Sequence, residues 1–289
     1  MNPLRAAPDT APADAGIEKL AQFIAGHPRL FVLTGAGVST DSGIPDYRDG
    51  DGNWKRRQPV RFQEFIASEP VRRRYWARSL IGWPRFAQAR PGAAHAALAR
   101  LETGGFVQQL VTQNVDGLHQ QAGSPAVIDL HGRLDRVQCL ECGVYESRHD
   151  YQQRLAARNP VFAALPAATA PDGDANLDGV DFDAFAVPGC TRCGGLLKPA
   201  VVFFGEGVPQ AAVEDAYAQL AQANAMLIVG SSLMVYSGYR FARAAAEAGK
   251  PIAAINLGRT RADGLLSLKL TARCGETLGA LVDILGLGS

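Results

Sequence analysis

Four groups of residues in this chain could do chemistry, each in a short motif of its own. Cys139-Leu140-Glu141-Cys142 and Cys190-Thr191-Arg192-Cys193 are two C-x-x-C pairs, each followed by glycine. Four thiolates supply the closed tetrahedral set that a structural Zn2+ prefers, and with no ligand position left open such a metal would stabilise and not catalyse. Two disulfides or a redox pair could use the same cysteines, but an intracellular chain keeps its thiols reduced and a two-pair arrangement is metal-like. His131 follows an apolar run, Val127 to Leu130, and precedes Gly132, which leaves its ring free to face a cleft. An imidazole with a pKa near 6.5 is suited to general-base work at neutral pH, although a histidine beside a strand end also serves as a structural hydrogen-bonder.

Thr112-Gln113-Asn114-Val115-Asp116 places an amide and a carboxylate at the end of a second apolar run. Gly35-Ala36-Gly37-Val38-Ser39-Thr40 does the same with glycines and hydroxyls. Glycine at 35 and 37 allows positive φ and a close approach of backbone N–H groups to phosphate, with Ser39 and Thr40 adding donors. The third glycine of G-x-G-x-x-G would fall at Thr40, so the motif alone leaves a tight strand-to-helix turn open as the alternative. Gly230-Ser231-Ser232 repeats the small-residue turn after another apolar run.

The elements that must position these groups can be read from periodicity. A helix is predicted over Ala15 to His27 and a buried strand over Arg29 to Leu33. Further helices are predicted at Arg61 to Ser68, Pro70 to Gln88 and Pro91 to Leu101. Strands are predicted at Phe106 to Thr112, Val127 to Leu130, Val201 to Phe204, Ala225 to Val229 and Ile252 to Asn256, with helices at Pro209 to Ala223 and Tyr239 to Ala248. This alternation implies an α/β, Rossmann-like, mainly parallel sheet covered on both faces, whose ligands lie beyond the carboxyl ends of the strands. Residues 15–48, 91–132 and 200–289 are assigned to that unit. A smaller unit would take a cofactor loop and helices at 49–90 and a zinc module at 133–199, with Asn159 to Pro188 an Ala/Pro/Asp/Gly-rich insertion. Asp49 to Gln58 is polar with Trp54 its one large apolar group, the composition of a mobile flap over a ligand. Arg72-Arg73-Arg74 reads as a solvated face.

Composition narrows the partners. With 289 residues, 47% of them hydrophobic, the chain can bury one large and one small core. Lys plus Arg is 29 and Asp plus Glu 28, and a net charge of +1 gives no electrostatic case for nucleic acid or a membrane surface. No apolar run approaches the roughly 20 residues that span a bilayer. Residues 1–14 read as a disordered leader with one Arg and two Asp, which fits a bacterial cytoplasm better than a mitochondrial transit peptide.

Taken together, the stretch Val32 to Arg48, Thr112 to His119, Leu130-His131-Gly132, the two cysteine pairs, Lys198 to Glu206 and Val229-Gly230-Ser231-Ser232, in that order, resemble a sirtuin from about residue 15 to the C-terminus. The class II branch is the nearest, on Arg74-Tyr75-Trp76-Ala77-Arg78, Gly82-Trp83-Pro84, Leu197-Lys198-Pro199 and Val235 to Phe241. The resemblance implies an NAD-dependent protein lysine deacylase that acts on acyl-lysine proteins or peptides, releases nicotinamide and forms O-acyl-ADP-ribose. It implies His131 as the base and Gln113, Asn114 and Asp116 as the nicotinamide and ribose pocket. It places Ile44, Asp46, Tyr47 and Arg48 against the cofactor, Asn256, Leu257 and Gly258 at the adenosine ribose, and Cys274 near adenine, although a lone Cys is as easily a buried small hydrophobe. One structural Zn2+ would hold the small unit. Residues near Val202 and Phe203 would pair with an extended substrate by strand addition, beside the plain reading of Val201 to Phe204 as a core strand. The chain departs from the common pattern at Asp129 (Glu), Tyr47 (Phe) and Ala200 (Asp). A monomer is expected.

Tyr75 and Arg78 lie three apart on a predicted helix and so on one face, where they could line an acyl channel and hold an acyl chain ending in a carboxylate. Otherwise Tyr75 packs in the small unit and Arg78 extends the basic face. His27, His95, His119 and His149 read as structural or surface groups. Protein mono-ADP-ribosyl transfer and a non-catalytic NAD-responsive module are the competing functional readings, and the pairing of His131 with Asn114 and Asp116 speaks against the second.

Overall fold

The structure is a computed structural model that describes residues 11–55, 59–165, 168–169, 175–176 and 179–288. In chain order the strands are β1 (Leu30–Thr34), β2 (Val107–Thr112), β3 (Val127–Asp129), β4 (Gly132–Cys139), β5 (Tyr145–Ser147), β6 (Ala168–Thr169), β7 (Ala175–Asn176), β8 (Leu197–Val201), β9 (Ala225–Val229), β10 (Ile252–Ile255) and β11 (Leu268–Leu270). The helices are α1 (Ala11–Gly26), α2 (Phe62–Ala67), α3 (Glu69–Ala87), α4 (Ala93–Thr103), α5 (Leu118–Gln121), α6 (Arg148–Arg158), α7 (Pro160–Ala163), α8 (Gln210–Gln222), α9 (Tyr236–Glu247) and α10 (Cys274–Ile284).

Six strands in the order β11-β10-β9-β1-β2-β3 form one sheet, and every neighbouring pair is parallel. Near-continuous apolar runs make these strands because both faces are covered. Leu30 and Val32 of β1 pack with Leu98, Leu278 and Leu281 on one face, while Phe31 and Leu33 pack with Ala216, Leu220 and Phe241 on the other. The chain leaves β1 toward β2 on one side and reaches β9 on the other, so the carboxyl ends of β1 and β9 flank the switch in strand order. That is where an open α/β sheet offers a ligand crevice.

A second core lies apart from this sheet, made by Phe65, Trp76, Leu80, Val137, Tyr151, Leu155, Phe185, Leu197 and Phe203 with two of the cysteines. Its sheet is antiparallel, in the order β5-β4-β8. Here the predicted strand Val201 to Phe204 needs correction. The strand is Leu197–Val201 and belongs to the small antiparallel sheet, not the parallel one. Its apolar sequence has another cause: Phe203 is buried in the second core, while Phe204 stays 37% exposed. Residues 200–203 therefore pack with the smaller unit.

Three other expectations change. Residues 1–10 of the expected leader lie outside the described residues, and the helix predicted from Ala15 already begins at Ala11. The Arg triplet is not simply a solvated face: Arg72 Nη1 donates to the carbonyls of Phe65 and Ile66 at 2.9 Å, at the end of α2, and Arg73 bonds Glu69 and the Asp183 carbonyl. Only Arg74 of the three is exposed. Within the stretch expected as a mobile flap, residues 49–55 form a closed turn, because Asp49 accepts N–H bonds from Asp51 and Asn53 and Arg48 bridges to Trp54. Residues 56–58 of that stretch lie outside the described residues. Among the described residues no helix is long and apolar enough to cross a membrane.

Candidate active site

The loops after β1 and β9 are interlocked. Gly35 N–H donates to Val229 O at 3.1 Å and Gly37 N–H to Gly230 O at 2.8 Å. A Cβ on Gly35 would stand 2.7 Å from the Ser231 Cβ, and one on Gly37 would stand 2.8 Å from the Gly230 Cα. The glycines are thus required by close approach and not by positive φ. Gly35 has φ −141°, and positive φ in this stretch falls at Gly43, with +80°. Gly230 has φ +61° and Leu233 +54°, so the strained turn is the one after β9. This cradle of small residues and hydroxyls is of the type that admits a diphosphate.

Beside it, Ser39 is the hub of a hydrogen-bond cluster. Its Oγ donates to Asp116 Oδ2 at 2.7 Å and accepts from Asn114 Nδ2 at 3.0 Å. Gln113 Nε2 donates to Ser231 Oγ at 2.8 Å and so ties the end of β2 to the turn after β9. Thr40 Oγ1 bonds the Gly37 carbonyl, and Ser232 lies half-buried in the same turn. The predicted set Gly35, Ala36, Gly37, Ser39, Thr40, Gln113, Asn114, Asp116 and Gly230 to Ser232 is therefore brought together at one end of the sheet. Its amide, carboxylate and hydroxyls are a set of donors and acceptors that fits a nicotinamide dinucleotide.

The buried histidines behind this cluster were expected to be structural, but they also touch the site. His95 Nε2 lies 3.4 Å from Ser39 Oγ and His119 Nε2 lies 3.0 Å from Thr34 Oγ1, with the two rings 4.8 Å apart. Burial pushes both below the ordinary histidine pKa, His119 to about 3, with the charge of His95 adding to that shift.

On the rim, the closed turn carries Tyr47, Arg48 and Trp54. The Arg48 guanidinium lies 4.0 Å over the Trp54 ring, and Trp54 meets Phe204 edge-on at 5.3 Å. Gly258 abuts Gly50, and Arg259 N–H donates to Gly50 O, so the turn rests on the loop after β10 with Asn256 and the exposed Leu257. Asp46 forms an ion pair with Lys55, and Ile44 is half-buried beside it. Cys274 begins α10 under β10, its Sγ 3.8 Å from the Ile255 carbonyl, and burial raises its thiol to about 11.

His131 joins the two cores. Its backbone carbonyl accepts Val202 N–H at 2.8 Å, and its Nδ1 lies 2.9 Å from the Gln113 carbonyl. A carbonyl can only accept, so Nδ1 carries the proton and Nε2 presents the lone pair. Burial depresses the pKa of this ring from its usual value, against the Gln113 bond that raises it and with the Arg240 charge that lowers it further. A neutral imidazole whose Nε2 is unprotonated at pH 7 follows.

Tyr75 and Arg78 are both half-buried on α3. Tyr75 packs on Phe65, Trp76 and Phe203 at 5.3 to 5.4 Å between ring centres, which puts its ring at the edge of the second core. The four cysteine sulfurs lie within 4.8 Å of one another, with Cys139 to Cys193 at 3.5 Å and Cys142 to Cys190 at 3.7 Å. Disulfide sulfurs would be about 2.05 Å apart. A tetrahedron with metal–sulfur bonds of about 2.3 Å has edges of roughly 3.8 Å, so the set fits a structural zinc. The Cys142 N–H donated to Cys139 Sγ is the largest cause that lowers this thiol, while the neighbouring sulfurs push its partner Cys193 up, so Cys139 is the one of the pair nearer the thiolate a metal needs.

The model of the Sir2 family matches residues 35–237. The chain belongs to the Sir2 family. Among its relatives is an NAD-dependent protein deacetylase of Bordetella bronchiseptica, 60% identical over 92% of this chain and 97% of that one. Another is the mitochondrial NAD-dependent protein lipoamidase sirtuin-4 of Bos taurus, 48% identical over 96% of this chain and 89% of that one. A solved complex described as Sir2-p53 peptide-NAD+ superposes with a TM-score of 0.77 at 29% identity, covering 94% of this chain and 99% of that one.

Sequence reasoning missed several partners in this Sir2-family site. Ser237, whose Oγ lies 2.8 Å from His131 Nε2, and the Lys198 to Glu206 pair behind Val202 were not singled out. Ser237 had no signal of its own, since one serine at a helix start is ordinary.

Proposed function

We propose that this Sir2-family chain is an NAD-dependent protein lysine deacylase of the class II branch, working on acyl-lysine proteins or peptides. The observation that carries the reading is the position of His131. One residue contacts the carboxyl end of β2 through its side-chain Nδ1, holds the Val202 N–H through its backbone carbonyl, and keeps Nε2 unprotonated. In this reading the acyl oxygen of the modified lysine bonds to the anomeric carbon as nicotinamide leaves with the bonding electrons. His131 Nε2 takes the proton given up by the ribose hydroxyls, and water completes release of the lysine amine and O-acyl-ADP-ribose. Asn114, Asp116 and Gln113 bind and orient the nicotinamide riboside end. Ile44, Asp46, Tyr47, Arg48 and Trp54 cover it, the adenosine end lies near Asn256, Leu257, Gly258 and Cys274, and the substrate backbone adds as a strand at Val202 and Phe203.

The protein acts as a monomer in a bacterial cytoplasm, without nucleic-acid or membrane partners. Its units are 15–48, 91–132 and 204–289 for the nucleotide, and 49–90 with 133–203 for the small, zinc-held part. Acyl groups other than acetyl are preferred, and those ending in a carboxylate are held by Tyr75 and Arg78. A charge-assisted bond from Arg78 is worth about 1.5 to 3 kcal/mol, or roughly ten- to a hundred-fold in affinity.

Incubation with NAD and one peptide carrying acetyl, lipoyl or glutaryl lysine, followed by mass spectrometry of peptide and protein, tests the reading. Deacylated peptide with O-acyl-ADP-ribose supports it, whereas ADP-ribose mass on a protein, or no turnover of any peptide, overturns it. A glutaryl preference that survives Arg78→Met would remove Arg78 from the channel.

A further inference from the structure

The base nitrogen of His131 already has a partner in the protein. Nε2 lies 2.8 Å from Ser237 Oγ, and because Nδ1 holds the ring proton against the Gln113 carbonyl, the serine hydroxyl is the donor. Ser237 is the second residue of α9, 8% exposed and buried with Gly238. A Cβ at Gly238 would stand 2.5 Å from Gln113 Oε1, so the first turn of α9 is pressed directly on Gln113. Both partners of the imidazole, one carbonyl and one hydroxyl, thus come from segments packed against each other, and together they fix the plane and tautomer of the ring.

We propose that Ser237 is a positioning residue for the base: its hydroxyl holds the His131 ring as the Nδ1–H tautomer and covers Nε2 until a substrate hydroxyl takes its place. This rests on the reading of His131 as the general base. Nε2 has a single in-plane lone pair, so a ribose hydroxyl and Ser237 cannot both donate to it along the same direction. Binding must therefore exchange one O–H donor for another, which lets the nitrogen stay dry and hydrogen-bonded before substrate arrives.

The charged side chain acting on the ring is Arg240, three residues along α9 from Ser237, whose Nε lacks a hydrogen-bond partner among the described residues. The nearby carboxylates are engaged elsewhere, Asp116 by Ser39 and Asp129 by Gln120. The Arg240 charge favours the neutral imidazole, whereas the Ser237 hydroxyl donates to the neutral ring and, once rotated, accepts from the protonated one in a stronger, charge-assisted bond. Removing the hydroxyl then lowers the pKa of His131 and leaves its tautomer less firmly held.

Two measurements on the full chain test this. The His131 ring is titrated by NMR in the absence of NAD, and kcat/KM for an acyl-lysine peptide is followed against pH, in wild type, Ser237→Ala and Ser237→Thr. The protonated ring loses a charge-assisted bond and the neutral ring a weaker one, so the His131 titration in Ser237→Ala moves down by about half to one pH unit. The acid limb of kcat/KM moves down by the same amount as the NMR curve, while kcat/KM on the neutral plateau falls because the unheld ring also samples the other tautomer. Ser237→Thr, which keeps the hydroxyl, returns both curves toward wild type. An unmoved His131 titration in folded Ser237→Ala overturns the proposal, as does a matching shift in Ser237→Thr. Should wild type turn over no acyl-lysine peptide, the deacylase reading fails, while the NMR titration still decides whether Ser237 holds the ring.

Discussion

Along β1 and β9, successive residues bury themselves on opposite faces of one sheet, Phe31 and Met226 on one and Val32 and Leu227 on the other. Around α3 and α6 the interior instead holds a guanidinium, a phenol and cysteine thiols. Arg148 is fully buried, with Nη2 donating to Ser79 Oγ at 2.9 Å, Nη1 to Gln152 Oε1 at 2.8 Å, and its plane 4.8 Å from the Trp83 ring. Tyr151 is buried with its hydroxyl on the Pro188 carbonyl. The parallel sheet can rely on apolar area on both faces, while the second core depends on satisfying polar groups and on cross-linking its loops. Stability in the first is spread over many contacts. In the second it is concentrated in a few, and the proposed base, His131, lies where the two kinds of interior meet.

Removing zinc breaks the comparison most severely. Structural zinc sites in small modules contribute on the order of 10 kcal/mol of apparent free energy, so chelation should unfold the second core and abolish activity while the parallel sheet stays folded. Two of the three tryptophans, Trp76 and Trp83, lie on α3, and the third, Trp54, lies on the closed turn. Tryptophan emission therefore reports on the second core and its rim, and the helical far-ultraviolet signal reports mostly on the sheet unit. A verified loss of zinc that leaves the tryptophan spectrum and turnover unchanged would mean that the second core holds itself together without the metal.

His131→Ala should give the opposite pattern, a chemical defect without a structural one. A general base contributes about 10²- to 10⁴-fold, so kcat/KM falls by that factor while the unfolding midpoint and NAD affinity by calorimetry stay close to wild type. In wild type the burial that lowers the His131 pKa keeps it competent below pH 6.5, and kcat/KM drops only as pH falls through that lowered value. Near-normal turnover in a folded variant would remove His131 from the chemistry.

The same contrast decides what the sequence could disclose. Strands buried on both faces leave uninterrupted runs, and Val32-Leu33-Thr34 with Gly35 or Met226 to Val229 with Gly230 marks both a strand and the ligand loop after it. Paired cysteines are equally plain. By contrast β4, Gly-Arg-Leu-Asp-Arg-Val-Gln-Cys, packs one face on a small core and leaves Asp135 and Arg136 exposed, so no clean period of two appears. Val201 to Phe204 misled for the reverse reason, being apolar because Val201 and Phe203 pack in the second core and not in the parallel sheet. Ser237 and Lys198 gain their roles only from segments 106 and 8 residues away, His131 and Glu206, contacts that no local pattern encodes.

Acid should weaken the sheet unit through a group that the second core lacks. His119 Nε2 faces Thr34 Oγ1, which donates onward to Thr112, so Nε2 carries the proton and the buried Nδ1 has no partner among the described residues. Its folded pKa is about 3 against an unfolded value near 6.5, so the folded state binds fewer protons. Stability is then complete above pH 6.5 and is lost progressively as pH falls below it. At pH 5 this histidine alone costs about 2 kcal/mol. Thiolate protonation at the zinc site also acts in acid. Urea unfolding followed by far-ultraviolet circular dichroism at pH 7.5 and pH 5, in wild type and His119→Gln, separates the two. The acid loss should shrink by about 2 kcal/mol in the variant, and an equal loss in both would remove His119 as its source.

The smallest expected effect lies at the junction. Lys198, on β8, has a side chain only 5% exposed and donates to Val201 O at 2.6 Å and to Glu206 Oε2 at 2.8 Å. The same carboxylate oxygen accepts Phe203 N–H at 2.8 Å, so one ion pair fastens the turn that carries Val202 and Phe203. Removing one partner of a fully buried pair costs about 3 to 5 kcal/mol, but Glu206 is 22% exposed and water can compensate in part. Glu206→Gln keeps the shape and one acceptor, and should cost about 1 kcal/mol. Because the turn faces the proposed peptide strand and not the nucleotide loops, that loss should appear as a rise of about fivefold in KM for the acyl-lysine peptide, with KM for NAD little changed. Equal rises in both constants would show that the turn after β8 is coupled to the parallel sheet as tightly as to its own core, and the division drawn between the two interiors would fail at the cleft where it matters most.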